Sequence, residues 1–189
     1  MESIPKPRSK ATLAIGLTLT VCAVVAVVFA VRAQSPKLRV EDIDSRVVKL
    51  FAGPQSVENI LSPTKIEAFR IDGRVKQRDR TRPLVGYPIL TGPVEVEATT
   101  GQQLATILLN DNAYWWEAAK ACMFNPGLVV RYTKNGKSTE IYFCFSCDEL
   151  LVISEGKGGG TEDTDAIRGP LVEIAKKIFP DDKEIDALE

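Results

Sequence analysis

Leu128-Val129-Val130-Arg131-Tyr132-Thr133-Lys134-Asn135-Gly136-Lys137-Ser138-Thr139-Glu140-Ile141-Tyr142-Phe143-Cys144-Phe145 is the stretch that decides the fold. Two runs of β-branched and aromatic residues flank an Asn-Gly pair. A two-residue hairpin turn needs positive φ at both central positions, and Asn-Gly supplies it at least cost. This register sets Arg131 opposite Glu140 and Val130 opposite Ile141, an ion pair beside an apolar pair, as a correct alignment should. A third strand over 150–154 is expected to return alongside. Helical patterns on both sides then predict an α+β fold, with an antiparallel sheet built on the 128–145 hairpin and packed by helices.

Working upstream, Glu41-Asp42-Ile43-Asp44-Ser45 opens a helix with Val47, Val48, Leu50 and Phe51 on one side, stopped at Gly53-Pro54. A second short helix covers 56–61. Residues 66–71 alternate as a strand ending in an Asp72-Gly73 turn, and 94–98 alternate as a half-exposed strand. Thr100-Gly101-Gln102-Gln103 fits a capping box that starts a helix through Leu104, Ile107 and Leu108. A further helix is expected over 113–121, carrying Tyr114, Trp115 and Trp116. Adjacent rings cannot all face one core, so at least one should lie at the surface as a candidate binding patch. Arg74, Lys76, Arg78, Arg80 and Arg82 punctuate the most basic segment, a solvated loop that, if extended, would align four cations on one face as a second candidate surface. Downstream, the glycine run 156–160 reads as a flexible loop; its order is not that of a phosphate-binding loop. A helix follows from about Gly169-Pro170, with Leu171, Ile174, Ala175 and Ile178 as its apolar stripe.

The chain begins with a basic head, residues 1–10, and then 21 uncharged residues, 11–31, close to the ~20 needed to cross a bilayer core as a helix. The expected organisation is a cytoplasmic head (1–10), a transmembrane signal anchor (11–32), a spacer (33–40) and one extracytoplasmic domain (41–189). Lys6, Arg8 and Lys10 are nearly balanced by Arg32, Lys37 and Arg39, so orientation rests on the basic head preceding a first hydrophobic segment. Cleavage near Ala33, giving a secreted protein, is the rival reading, although the run is longer than a usual signal core. Val21 before Cys22 is too bulky for a lipid-attachment signal, which leaves Cys22 as an apolar cysteine.

From Gln34 onward, 20 Lys+Arg face 24 Asp+Glu, a mild acidic balance that argues against a nucleic-acid binder. The sequence holds no histidine, which removes Ser–His and Cys–His nucleophile pairs and every His-containing metal site. Neighbouring carboxylates such as Asp148 with Glu149, or Asp163 with Asp165, read as loop ends and caps rather than a hydrolytic pair.

Cys122, Cys144 and Cys147 remain as the thiol site. Cys144-Phe145-Ser146-Cys147 has redox-motif spacing but ends a strand instead of opening a helix, and Asp148 and Glu149 would oppose a thiolate. A structural bridge is favoured: Cys122–Cys147 would close a loop of about 25 residues worth ~3 kcal/mol, with Cys122–Cys144 as the other pairing. Zinc on three thiolates plus Asp148 is a weaker fit, because only one closely spaced ligand pair exists. No cofactor or metal is expected.

At these residues the chain resembles an uncharacterised family of bacterial exported or membrane-anchored proteins. The shared pattern is Cys122-Met123-Phe124-Asn125-Pro126-Gly127, then Cys144-Phe145-Ser146-Cys147-Asp148-Glu149-Leu150, then Phe179-Pro180-Asp181-Asp182 with Glu184-Ile185 behind it. It covers the C-terminal half, from Ala98. The resemblance implies a compact, cysteine-containing α+β domain and brings no reaction or ligand. The expected function is a membrane-anchored, non-enzymatic binding domain with an envelope partner. The alternative is a thiol-disulfide or thiolate-metal protein using Cys122, Cys144 and Cys147.

Overall fold

The computed structural model describes residues 38–75, 83–116, 118 and 120–189. The apolar run 11–31 lies outside them; among the described residues no helix is long and apolar enough to cross a membrane.

Helices α1 (Ser45–Leu50) and α2 (Pro54–Leu61) come first, joined through Gly53 at φ 106° with Pro54 in the first turn of α2. Strands β1 (Lys65–Ile71) and β2 (Ile89–Glu95) follow, then α3 (Ala98–Leu108). Strands β3 (Leu128–Lys134), β4 (Lys137–Cys144), β5 (Glu149–Ser154) and β6 (Lys157–Asp163) run consecutively, before α4 (Arg168–Ile178) and α5 (Lys183–Asp186). The six strands form one sheet in the order β2-β1-β3-β4-β5-β6, with every pair antiparallel.

The hairpin has the expected register. Arg131 pairs with Glu140 and Val130 with Ile141, around Asn135 and Gly136 at φ 51° and 76°. Arg131 Nη2 lies 2.7 Å from a Glu140 carboxylate oxygen. Alternation then sorts the sheet's side chains. Ala68, Leu128, Val130, Tyr132, Ile141, Phe143, Leu150 and Val152 join the main core with residues of α1–α4, including the expected α4 stripe. Phe69, Ile71, Val129, Tyr142 and Ile153 form a second, smaller core on the opposite face.

Four expectations are corrected. Helix α3 starts at Ala98, and Thr100 is a buried residue inside it rather than a cap. The strand expected over 94–98 is β2, which begins at Ile89 and ends at Glu95. No helix spans 113–121 among the described residues: after a short turn at Asp111–Ala113 the chain is extended at Tyr114, and the Ala118 amide then bonds back to the Trp115 carbonyl. Extension lets Tyr114 and Trp116 turn inward together while Trp115 points out. Tyr114 is buried with its ring tilted against that of Trp116, centroids 4.9 Å apart, whereas Trp115 is 56% exposed. Trp116 also donates its indole N–H to the Asp111 carbonyl, and the Trp115 amide reaches the Asp163 carbonyl.

The fourth correction is the glycine run, which forms edge strand β6 after a tight turn with Glu155 and Gly156 at φ 50° and 72°. These glycines permit close approach to α1. A Cβ on Gly159 would sit 2.4 Å from the Leu50 carbonyl oxygen, and one on Gly160 would sit 2.8 Å from Leu50 Cδ1. Backbone cannot yield as a side-chain tip can. Gly159→Ala should therefore cost about 2 kcal/mol in urea unfolding, within the usual range for overpacking. Gly158→Ala, with open space at the same point, should be near neutral. Equal losses for both would mean that strand propensity and chain entropy, not the α1 contact, set the requirement.

Candidate functional site

Among the described residues, the second face of the sheet is covered only in part. Phe69, Val129, Tyr142 and Leu151 line up across β1, β3, β4 and β5, each the register partner of the next. Two irregular segments lie over this row. One is the turn Pro83–Gly86 and its exit, from which Leu84, Val85 and Tyr87 pack onto it; the Tyr87 and Tyr142 rings are 6.0 Å apart. The other is the segment after the aromatic residues, from which Phe124 packs inward. Between them lies a groove of about 430 Å³, lined by Val75, Val85, Tyr87, Phe124, Leu151 and Ile153, with Arg74 and Met123 also contributing. That volume is in the range of small-molecule sites. Met123 is 72% exposed, unusual for methionine in a small domain.

A disulfide holds one wall of this groove. Cys122 and Cys147 are bonded, with Cα atoms 6.0 Å apart. Cys122 is exposed and Cys147 buried, so the bridge ties a surface segment to the turn after β4. Two cations clamp that turn. Lys120 Nζ donates to the Cys147 carbonyl at 2.8 Å and to Asp165 Oδ1 at 2.6 Å. Arg168 donates to the Phe145 carbonyl at 2.6 Å and pairs with the Asp148 carboxylate. Asp148 itself sits at φ 50°, the left-handed conformation that turns the chain into β5.

Lys120 also lies 2.9 Å from Asp163 Oδ2, but off the hydrogen-bonding directions, so that buried oxygen is ion-paired without an aligned hydrogen bond. Partial burial pulls the Lys120 ammonium down, yet its hydrogen bond to Asp165 and the negative charges of Asp163 and Asp165 together outweigh burial and hold its pKa above the ordinary lysine value. Burial pushes Glu149 up, against the attraction of Lys120; Asp163, its partner across the β5–β6 ladder, adds to the rise.

Cys144 stays a free, buried thiol. It accepts the Asn125 amide at 3.2 Å and lies 3.3 Å from Ser146 Oγ. With Cys122 joined to Cys147, the three cysteines do not form one thiol cluster. Among the described residues no three His, Cys, Asp or Glu side chains gather in a metal-binding arrangement.

The other candidate residues are dispersed. Tyr114 is core, Trp116 is half-buried beneath Arg46, whose guanidinium lies 4.8 Å from the indole, and Trp115 alone is exposed. Arg74 lines the groove, while Lys76, Arg78, Arg80 and Arg82 lie outside the described residues. Sequence reading passed over Arg70. Its side chain is 5% exposed, with Nε 2.7 Å from Asp182, Nη2 2.8 Å from Glu184 and Nη1 donating to the Gly127 carbonyl. A signal was present: strand alternation placed Arg70 on the same face as Ile66 and Ala68, where an unpaired cation could not stay. Gly127, Asp182 and Glu184 all belong to the resemblance pattern above, and Arg70 is where its first and last segments meet. No protein-family model, curated protein or solved structure matches the chain.

Proposed function

We propose that this chain is a membrane-anchored, extracytoplasmic domain that binds rather than catalyses, and that the groove on the second sheet face is its binding surface. The groove is the observation that carries the reading: an open site with apolar and aromatic side chains in its lining, walled by irregular segments, with one of them fixed by a disulfide. Binding residues are often found on loops held by a rigid sheet. Disulfides persist in oxidising compartments, which agrees with export through the apolar run 11–31. The thiol-chemistry alternative draws less support, since Cys147 is buried and Cys144 ends β4 with no helix start behind it.

The test is to express the whole chain in a bacterium and follow it by fractionation. The expected result is a carbonate-resistant membrane protein whose C-terminal domain is digested by protease added outside the inner membrane. Alkylation without reductant should leave Cys122 and Cys147 unmodified. A cytosolic protein with both thiols reduced would overturn the reading.

A further inference from the structure

We infer that the groove takes an amphiphile with an apolar chain and a single anionic head, the chain lying along Leu151 and Ile153 and the head against Arg74. The inference rests on the groove being the binding surface, and it names the ligand class. Two observations carry it. The first is the lining, where Val75, Val85, Tyr87, Phe124, Leu151 and Ile153 offer apolar surface and no carboxylate is found among the described residues. The second is the charge: among the described residues that line it, Arg74 is the one that carries a charge. Asp72 engages Arg74 through Nε at 3.0 Å and Glu184 adds its charge, but no described residue accepts a hydrogen bond from the two terminal NH2 groups. A planar pair of N–H donors suits a carboxylate or phosphate oxygen pair. An apolar trough ending in such a fork discriminates by charge at one end and by length along the other. A cationic or neutral head would give the two terminal NH2 groups no charged acceptor, so selectivity follows from the head and affinity from the chain.

The groove has its own reporter. The chain contains two methionines, Met1 and Met123, so methyl-labelled methionine gives one signal from the groove. The full chain would be placed in nanodiscs of neutral phosphatidylcholine and titrated with octanoate, octanol and octylamine. The expected result is a saturable shift of the Met123 methyl with octanoate, and at least about tenfold weaker binding of the other two, the scale of one charge-assisted contact. Arg74→Gln should weaken octanoate about tenfold and leave octanol unchanged. Discs containing phosphatidylglycerol, without octanoate, separate the sources. A Met123 shift there assigns a membrane lipid, and a shift with octanoate alone assigns a free acid; either upholds the inference. Equal response to octanoate and octylamine, an unaltered Arg74→Gln titration, or no saturable shift would overturn it. If fractionation finds an anchored, exported domain while the titration fails, only the ligand class falls.

Discussion

Replacing Arg70 by methionine should lower the unfolding free energy by about 3 kcal/mol, the low end of the loss expected when one partner of a buried ion pair is removed. The guanidinium joins three separate parts of the chain: β1, the Gly127 carbonyl before β3, and Asp182 with Glu184 at the start of α5. Methionine keeps the stem's packing but takes the guanidinium donor from Asp182, while the Gly127 carbonyl keeps only the Ile71 amide, at 3.2 Å. Asp182 is only 22% exposed, so water replaces little of what it loses. Glu184, 75% exposed, contributes little either way.

The same pair gives a pH dependence with a definite sign. Burial alone would raise the Asp182 carboxyl, but the Arg70 guanidinium and the amides of Ile185 and Glu184 outweigh it and hold the carboxyl below its ordinary value of 3.8. A depressed folded pKa means that the folded state binds fewer protons than the unfolded one. The contribution is therefore fully present above pH 4 or so and is lost as pH falls through the folded value. Urea unfolding of wild type and Arg70→Met at neutral pH and in acid should show the gap between them narrowing in acid. A neutral-pH loss under about 1 kcal/mol would mean that the packing of α5, not the charge, closes this corner.

The second large effect concerns the bridge. Cys122→Ser with Cys147→Ser should cost about 3 kcal/mol, since a cross-link over 25 residues restricts the unfolded chain by roughly that amount. Wild type in a dithiol reductant should unfold at the same urea concentration as the double variant, and the variant should be indifferent to reductant. Cys144→Ala is the control. Its thiol is buried and unbridged, so its smaller cost should not depend on reductant. If reductant leaves wild-type unfolding unchanged, the bridge closes a loop that native packing restrains without it.

The parts of the fold that could be read from sequence were those in which local and distant requirements agree. Asn135-Gly136 demands a tight turn, and the residues around it fall into chemically sensible pairs, so register and sheet type followed together. The helix expected over 113–121 failed because its residues have helical preference but no common apolar face. Extension satisfies Tyr114, Trp116 and the Trp115 amide at once, and propensity yields to it. The glycine run failed for a related reason. Its glycines meet a helix more than a hundred residues earlier in the chain, and no local pattern announces that contact. The Cys122–Cys147 pairing was legible because the hairpin register carries Cys147 back toward the start of β3. The groove was not, since its walls come from 73–75, 85–87 and 123–125, segments without periodicity.

Strand order has a consequence for the time course of folding. Strands β3, β4, β5 and β6 are sheet neighbours in the order in which they occur in the chain, each joined to the next by a short connection. Such local pairings form quickly, whereas β1 must wait for β3, more than fifty residues further along. The expected sequence of events is a C-terminal meander first, with β1 and β2 added to its open side. Cys122 and Cys147 stand on either side of the β3–β4 hairpin. The hairpin alone is therefore expected to gather the two sulfurs, so that an oxidant should close the bridge before β1 and β2 have joined the sheet.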